Sequence, residues 1–259
     1  MSLPSMVDAR SDAEPLRFGR IVVIGGGCYG SWYTQQLTRA MVRGALVADS
    51  IVVVDRDPQC LVAQRLSTAA YEGAPVHLVV DEWAAYLNAW LSTGVDALRD
   101  DAMVPSPLMP HLCLDWLMTR AVERWPHRAV RVEPLAVTPP MPWERAAPDG
   151  RHYVSFATWT CPVNCIEPVT CPATRGPRDW SMSPALASYV AERGVGIDIA
   201  CIFHCAHRTY GVGMIDASAI AAGDQQLALA VHARPNAPIR ALVGTVSHCH
   251  GALGVLAVE

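Results

Sequence analysis

The sequence contains no lysine, and all twenty of its basic residues are arginine. This absence excludes three classes of protein that depend on a lysine amine: P-loop NTPases, pyridoxal-phosphate enzymes that form a Schiff base, and enzymes with a lysine general base. Charge is also scarce, because only 17% of the residues are charged and the net charge is -4. We therefore expect no basic surface for nucleic acid or for anionic membranes.

The chain also lacks a long apolar run, although 51% of its residues are hydrophobic. No stretch reaches the about 18 uninterrupted apolar residues that a membrane-spanning helix needs. The first residues have neither the basic flank nor the apolar segment of a secretory signal. We therefore expect a globular cytoplasmic protein that acts on a small molecule. It could form a homodimer. In that reducing compartment, nine cysteines favour metal binding or redox chemistry over disulfides.

Strand-like and helix-like patterns alternate through the first half of the chain. Short β-branched runs occupy residues 20–24, 51–54 and 76–80, and helical patterns follow at 59–70 and 82–91. This alternation predicts an α/β fold with a parallel sheet, right-handed crossovers and helices on both of its faces. A further helix is predicted from Leu112 to Arg124.

A glycine loop follows the first predicted strand directly. Gly25, Gly27 and Gly30 fit the G-x-G-x-x-G pattern, in which glycines form a tight turn and let a pyrophosphate approach the backbone. Asp55 ends the second predicted strand, where a carboxylate can bind the hydroxyls of an adenosine ribose. Arg56 follows it and could accept a 2′-phosphate. The pattern indicates a dinucleotide, either NAD or NADP, with FAD and S-adenosylmethionine as alternatives.

These residues resemble the NAD(P)-binding Rossmann families, in particular TrkA-N-like domains and the short dehydrogenases of siroheme synthesis. The resemblance covers about residues 20–81 and implies that the three glycines and Asp55 contact the dinucleotide. It implies a Rossmann-like parallel sheet for the fold. We accordingly predict a disordered tail over 1–17, a Rossmann-type nucleotide-binding unit over 18–138, and an α/β continuation with a Cys/His-rich metal site over 139–259.

In the second half, three strand-like runs each end at cysteine or histidine. Helix-like segments at 215–222 and 251–258 follow the last two runs. If these strands join the sheet in parallel, the polar clusters fall at its carboxyl edge beside the glycine loop, where open α/β sheets bind ligands. The runs and the residues that follow them are 153–159 with Cys161, 196–203 with His204 and Cys205, and 240–246 with His248, Cys249 and His250.

The segment around Cys161, Cys165 and Cys171 has the spacing C-x3-C-x5-C and is rich in proline. Thiolates in a short stiff loop suit zinc or an iron–sulfur cluster, so we predict a metal site in a cysteine-rich loop over the carboxyl edge of the sheet. A proline-stiffened loop with buried cysteines and a redox dithiol are the alternatives. Cys205 is the first choice for a fourth ligand, and the other candidates are His204, His207, His248, Cys249 and His250.

Together these patterns predict an NAD(P)-dependent oxidoreductase with an adjacent zinc or iron–sulfur centre. His207, His250 and Cys249 are the predicted catalytic residues, since imidazole and thiol groups move protons near neutral pH. Two other functions stay open. One is a non-enzymatic protein that senses a nucleotide or handles a cofactor and has a structural metal site, and the other is an S-adenosylmethionine-dependent methyltransferase.

Overall fold

The computed structural model describes residues 14–162, 165–192 and 196–259. These residues form a mixed α/β fold with two sheets of six strands each. The elements are β1 (Leu16–Ile24), α1 (Cys28–Val42), β2 (Leu46–Asp55), α2 (Leu61–Leu66), β3 (Val76–Val80), α3 (Trp83–Leu91), β4 (Ala102–Val104), α4 (Leu112–Arg124), β5 (Val130–Glu133), β6 (Trp143–Ala146), β7 (His152–Ser155), α5 (Met182–Ala191), β8 (Ile199–His204), β9 (Ala206–Thr209), β10 (Val212–Asp216), α6 (Ala217–Ala233), β11 (Ile239–Val246) and β12 (His250–Val258).

The first sheet has a parallel part and an antiparallel part. Strands β3, β2, β1 and β4 lie in that order and run parallel, as predicted for the three strands of the first half. Both β1 and β2 end in a run of apolar residues that is buried on both faces of the sheet. Such burial explains why their sequences are unbroken Val and Ile runs instead of alternating ones. β10 and β9 extend the sheet beyond β4 in antiparallel pairing.

The second sheet is mostly antiparallel, and here part of the prediction is wrong. β8 pairs in parallel with β11, but β11 pairs antiparallel with β12, and β7 and β5 pair antiparallel with β12. The strands at 153–159, 196–203 and 240–246 therefore do not extend the parallel sheet. The predicted helix at 251–258 is strand β12. Its apolar run is buried along almost its whole length, and periodicity alone does not separate a buried strand from a buried helix.

The helices lie on both faces of the two sheets and join them through one core. α3, α4 and α6 fill the space between the sheets, where their apolar side chains pack against β1 and β2 on one side and β11 and β12 on the other. α1 and α2 cover the outer face of the first sheet, and α5 covers the outer face of the second. The two sheets are therefore parts of one packed unit.

Several predicted boundaries can be compared with the observed elements. The predicted helix from Leu112 to Arg124 is confirmed as α4, and the helix expected at 215–222 is the longer α6. Residues 1–13 of the predicted tail lie outside the described residues, whereas β1 already begins at Leu16. The division predicted at residue 138 does not separate the sheets, because β5 belongs to the second sheet and β9 and β10 to the first. No helix in the described ranges combines the length and apolar character that crossing a membrane requires.

The two sheets meet where the chain passes directly from one to the other. β8 ends in the second sheet at His204 and β9 begins in the first at Ala206, so only Cys205 lies between them. The N–H of Cys205 donates to the carbonyl of Val246, the last residue of β11, at 2.7 Å. This crossing brings the end of β11 beside the first sheet and so positions the candidate site.

His111, at the start of α4, is buried with neither ring nitrogen hydrogen-bonded within the described part of the chain. Its ring meets Tyr153 edge-on at 5.1 Å between centroids. Burial, helped by the charge of Arg151, lowers the pKa of His111 to about 4.

We expect His111 to make the protein less stable in mild acid. Because the unfolded chain takes up this proton near pH 6.5 and the folded chain only near pH 4, the contribution of His111 to stability falls between those values, by at most roughly 3 kcal/mol, and is constant below them. Denaturant unfolding of the unmodified protein and of His111→Phe from pH 7 to pH 4 measures this loss as a difference. Replacement of the exposed His127 is the matched control. If the unfolding free energy of His111→Phe falls with pH in parallel with that of the unmodified protein, the expectation is contradicted.

Candidate functional site

The glycine loop has a backbone that only glycine allows at two of its positions. Gly25 has a φ of +87°, in the left-handed region that side chains disfavour. A Cβ at Gly30 would lie 1.7 Å from the carbonyl oxygen of Gly25. Gly27 differs, because a Cβ there would meet no atom within 4 Å. The backbone at Gly27 is therefore open to a ligand, just before α1 begins.

A cavity of about 630 Å³ lies over this loop, and all five of the predicted cofactor-binding residues line it. Asp55 supports the loop: one carboxylate oxygen accepts the N–H of Gly26 at 2.6 Å and the other accepts the N–H of Asp57 at 2.9 Å. No side chain caps the start of α1, so the N–H groups of its first turn face the cavity region without a capping partner. This cavity, which we call the nucleotide cavity after the ligand that the sequence predicts for it, is lined by Gly25, Gly27, Gly30, Asp55 and Arg56, together with Trp83, Leu108 and Met109.

A second cavity, of about 540 Å³, lies where the two sheets meet and is called the central cavity. His207 from β9 and His250 from β12 both line it, as do Cys205 and Tyr33. Burial raises the pKa of the Cys205 thiol to about 12 and that of the Tyr33 hydroxyl to about 12, so both stay protonated at neutral pH. Two of the three predicted catalytic residues therefore line this cavity, and all three line a third cavity described below.

His250 shares a hydrogen bond with Ser155. The Ser155 hydroxyl lies 2.9 Å from the carbonyl oxygen of Ala157 and 3.0 Å from Nδ1 of His250, and when it donates to the carbonyl it accepts from Nδ1–H of His250. Burial lowers the pKa of His250, so the ring is neutral at pH 7. Its Nε2 then carries the free lone pair, as a general base or a metal ligand requires.

Glu167 is a buried carboxylate that sequence reasoning missed. One of its oxygens accepts from the Ser247 hydroxyl at 2.6 Å and from the Cys249 N–H at 3.1 Å. The other accepts from the His248 N–H at 2.9 Å and lies 3.6 Å from Nδ1 of His207. The distance to His207 is longer than a normal hydrogen bond. Burial acts to raise the pKa of Glu167, but these donors and His207 hold it well below its usual range.

A third cavity, of about 600 Å³, contains three of the cysteines and is called the cysteine cavity. Cys161, Cys165 and Cys249 line it, with Trp159 and Glu167, whereas Cys171 is buried and does not line it. Cys205, the predicted fourth ligand, lines the central cavity instead. Across 14–162, 165–192 and 196–259, no three Cys, His, Asp or Glu side chains form a group that could hold a metal ion.

Two other candidate ligands form a separate pair. The rings of His204 and His248 lie 4.7 Å apart edge to face. Nδ1 of His204 bonds the Ser183 hydroxyl at 3.2 Å, and Nδ1 of His248 bonds the Ser181 hydroxyl at 3.0 Å. Burial lowers the pKa of both rings. Neither residue lines any of the three cavities.

The loop after β4 joins the three cavities. Ser106 lines both the nucleotide cavity and the central cavity, and Pro107 lines both the central cavity and the cysteine cavity. Ser155, Ser247, His207 and His250 also line the last two together. The cavities therefore adjoin in the order nucleotide, central, cysteine. The sequence contains a signal for Glu167, since it is the only acidic residue between Asp149 and Asp179. It contains no signal that the loop after β4 would lie between the cavities.

Comparison with known proteins identifies a family for the larger part of the chain. Residues 113–259, over half of the chain, match the model of the AF_1314_C family, described as "Uncharacterized protein, C-terminal domain". The chain belongs to this family. The matched region contains all three predicted Cys/His clusters, Glu167 and the whole second sheet, and it excludes the glycine loop. No curated protein and no solved structure matches the chain.

Proposed function

We propose that the protein is an NAD(P)-dependent oxidoreductase that places its dinucleotide in the nucleotide cavity and its substrate in the central cavity. A zinc or iron–sulfur centre belongs, in this proposal, to the cysteine cavity. The parallel order β3-β2-β1-β4 with a glycine loop after β1 supports a Rossmann-type unit similar to the TrkA-N-like and siroheme-type dehydrogenases.

The observation that carries the proposal is the shared wall between the cavities. Because Ser106 lines the first two cavities, a ligand bound on the glycine loop can extend past this residue toward His207 and His250. An elongated ligand with one anionic end and one reactive end fits this arrangement. A dinucleotide has that form.

The residues of the nucleotide cavity fit such a ligand. The open backbone at Gly27 admits a pyrophosphate, and the N–H groups at the start of α1 can donate to it. The oxygens of Asp55 each accept one N–H and keep lone pairs for ribose hydroxyls. Arg56, exposed beside Asp55, can pair with a 2′-phosphate, so both NAD and NADP fit.

The chemistry divides between the cofactor and the protein. A bound nicotinamide supplies or accepts the hydride. His250 offers a neutral Nε2 that can take a proton from a substrate hydroxyl or return it to a carbonyl. Glu167 lies beside Nδ1 of His207 and can stabilise that ring when it becomes charged.

Ligand titration tests the proposal with NADH, NADPH, FAD and S-adenosylmethionine. We expect one of the two nicotinamide nucleotides to raise Tm by roughly 5–10 °C at a hundredfold excess over Kd. A shift with S-adenosylmethionine alone would favour the methyltransferase, and no shift with any of the four would refute the nucleotide assignment. Binding of NADH or NADPH without turnover of any alcohol or carbonyl in a broad panel would favour the sensing protein.

A further inference from the structure

We infer that the central cavity binds a small aromatic carboxylate, and that the guanidinium group of Arg145 pairs with the carboxylate of this ligand. The inference rests on the proposed function and deepens it, because it names the chemical class of the substrate that the function places in this cavity. Arg145 belongs to β6 and is not among the site residues predicted from the sequence. It lines the central cavity together with His207 and His250.

One face of the second sheet forms the floor of the central cavity. Residues directly opposite one another on antiparallel strands point to the same side of the sheet, so they form rows across it. Two such rows cross β6, β7 and β12, and every member of both lines the cavity. The first row is Trp143, Ser155 and His250, and the second is Arg145, Tyr153 and Ala252. Two strand spacings and two residues place the Cα atoms of Arg145 and His250 roughly 12 Å apart, so the two side chains and a small ligand between them can span the distance.

Helix α4 covers only part of this face. A Cβ at Gly254 of β12 would lie 2.5 Å from the Leu114 side chain, so the start of α4 packs directly on the strand there. Two residues earlier on the same face, Ala252 lines the cavity instead. The helix therefore leaves open the end of the face that contains Arg145 and His250, and this end has space for a ligand.

The charge of the central cavity is positive. Among the described residues, no aspartate or glutamate lines it, and Arg145 is the one arginine that does. The next arginine along the chain, Arg151, pairs with Asp115 and Asp149, whereas Arg145 has no ion-pair partner in the part of the chain that the structure describes. A guanidinium group presents a planar fork of N–H donors that matches a carboxylate. Because Arg145 is exposed at the rim of the cavity, it can pair with a carboxylate without either group losing all of its water.

The rings around Arg145 favour an aromatic body for the ligand. Tyr153 lies opposite Arg145 on β7, and Trp143 lies two residues before it on the same face of β6. Trp143 is 42% exposed, although burial of so large an apolar side chain is favourable. An aromatic ring bound in the cavity would cover part of this indole and stack on it or meet it edge-on. One guanidinium group balances one negative charge, so a monocarboxylate fits better than a phosphate ester with a charge of about -2.

The test is calorimetric titration of the full chain with phenylacetate and with its uncharged counterpart, phenylacetamide. We expect phenylacetate to bind at least about tenfold more tightly, which is the effect of one charge-assisted hydrogen bond, and Arg145→Gln to abolish the difference. Arg43→Gln is the matched control and should change neither affinity, because Arg43 is exposed at the end of α1 and lines none of the three cavities. Equal affinity for the acid and the amide, no binding of either, or full phenylacetate affinity in Arg145→Gln would overturn the inference.

Two further probes of the unmodified protein test the ring and the carboxylate without any variant. Hexanoate has the charge without the ring and should bind more weakly than phenylacetate, and phenyl phosphate should also bind more weakly. Tighter binding of either probe would overturn the aromatic carboxylate as the ligand class.

These titrations contain no nucleotide, and Arg145 does not line the nucleotide cavity, so the result is independent of the NADH and NADPH titrations. Binding of phenylacetate without binding of either nucleotide would support the carboxylate site and refute the proposed function. Binding of a nucleotide without phenylacetate would refute this inference alone.

Discussion

A Gly27→Val variant will fold with an unchanged Tm and, under the proposed function, will bind NADH or NADPH at least about 100-fold more weakly, a loss of about 2.7 kcal/mol. The fold tolerates the change because a Cβ at Gly27 would meet no atom within 4 Å, and the backbone there is extended, with φ -75° and ψ -156°. In the proposed function, the same open space is the path by which a pyrophosphate reaches the start of α1. An isopropyl group would occupy it.

Fluorescence titration with NADH or NADPH measures the loss, and a thermal melt of the free protein checks the fold. Gly27→Ala is the matched variant and should weaken binding less, since a methyl group blocks less space. Gly30→Ala should differ from both by lowering Tm, because its Cβ would clash with the Gly25 carbonyl at 1.7 Å. Full nucleotide affinity in Gly27→Val would show that phosphate does not bind at this turn.

Glu167→Gln will lower the free energy of unfolding by about 2–4 kcal/mol, which is a large part of the stability of an ordinary domain. In the unmodified protein both carboxylate oxygens accept hydrogen bonds, from Ser247, from the N–H of His248 and from the N–H of Cys249. A glutamine amide has only one acceptor oxygen, so its NH₂ group would face a buried N–H donor. The variant thus leaves a donor unpaired and removes the charge beside His207.

Denaturant unfolding at pH 7 measures this loss, and Glu192→Gln is the control, because Glu192 is exposed at the end of α5. We expect the control to change stability by no more than about 0.5 kcal/mol. If Glu167→Gln is as stable as the control, the hydrogen bonds from the Glu167 carboxylate to the β11–β12 turn do not stabilise the fold.

The glycine-loop residues could be predicted from the sequence because the signal is local. Strand β1, the glycine turn and α1 follow one another directly, and Asp55 sits at the end of the next strand, so a spacing rule finds the set. All five predicted residues do line one cavity. α4 was equally predictable, since a 13-residue amphipathic pattern is long enough to be unambiguous.

The second sheet could not be predicted in the same way. β12 is buried between β11 and the pair β5 and β7, so its sequence has no alternation that would mark it as a strand. The contacts of the candidate site could not be predicted for a related reason. Contacts such as Glu167 with Cys249 join residues 82 positions apart, and sequence spacing contains no information about them. Cys205 and Cys249 look alike in sequence, and only tertiary packing separates them.

The direct passage from β8 to β9 has a consequence for how the central cavity receives a substrate. With one residue between strands of different sheets, and with the N–H of that residue bonded to β11, the sheets cannot slide past each other without breaking the strand pairing. The part of the cavity wall that Cys205 and His207 form is therefore fixed relative to the end of β11 by the backbone. In the proposed function, a substrate bound there requires little reorganisation of this wall, which lowers the free-energy cost of binding.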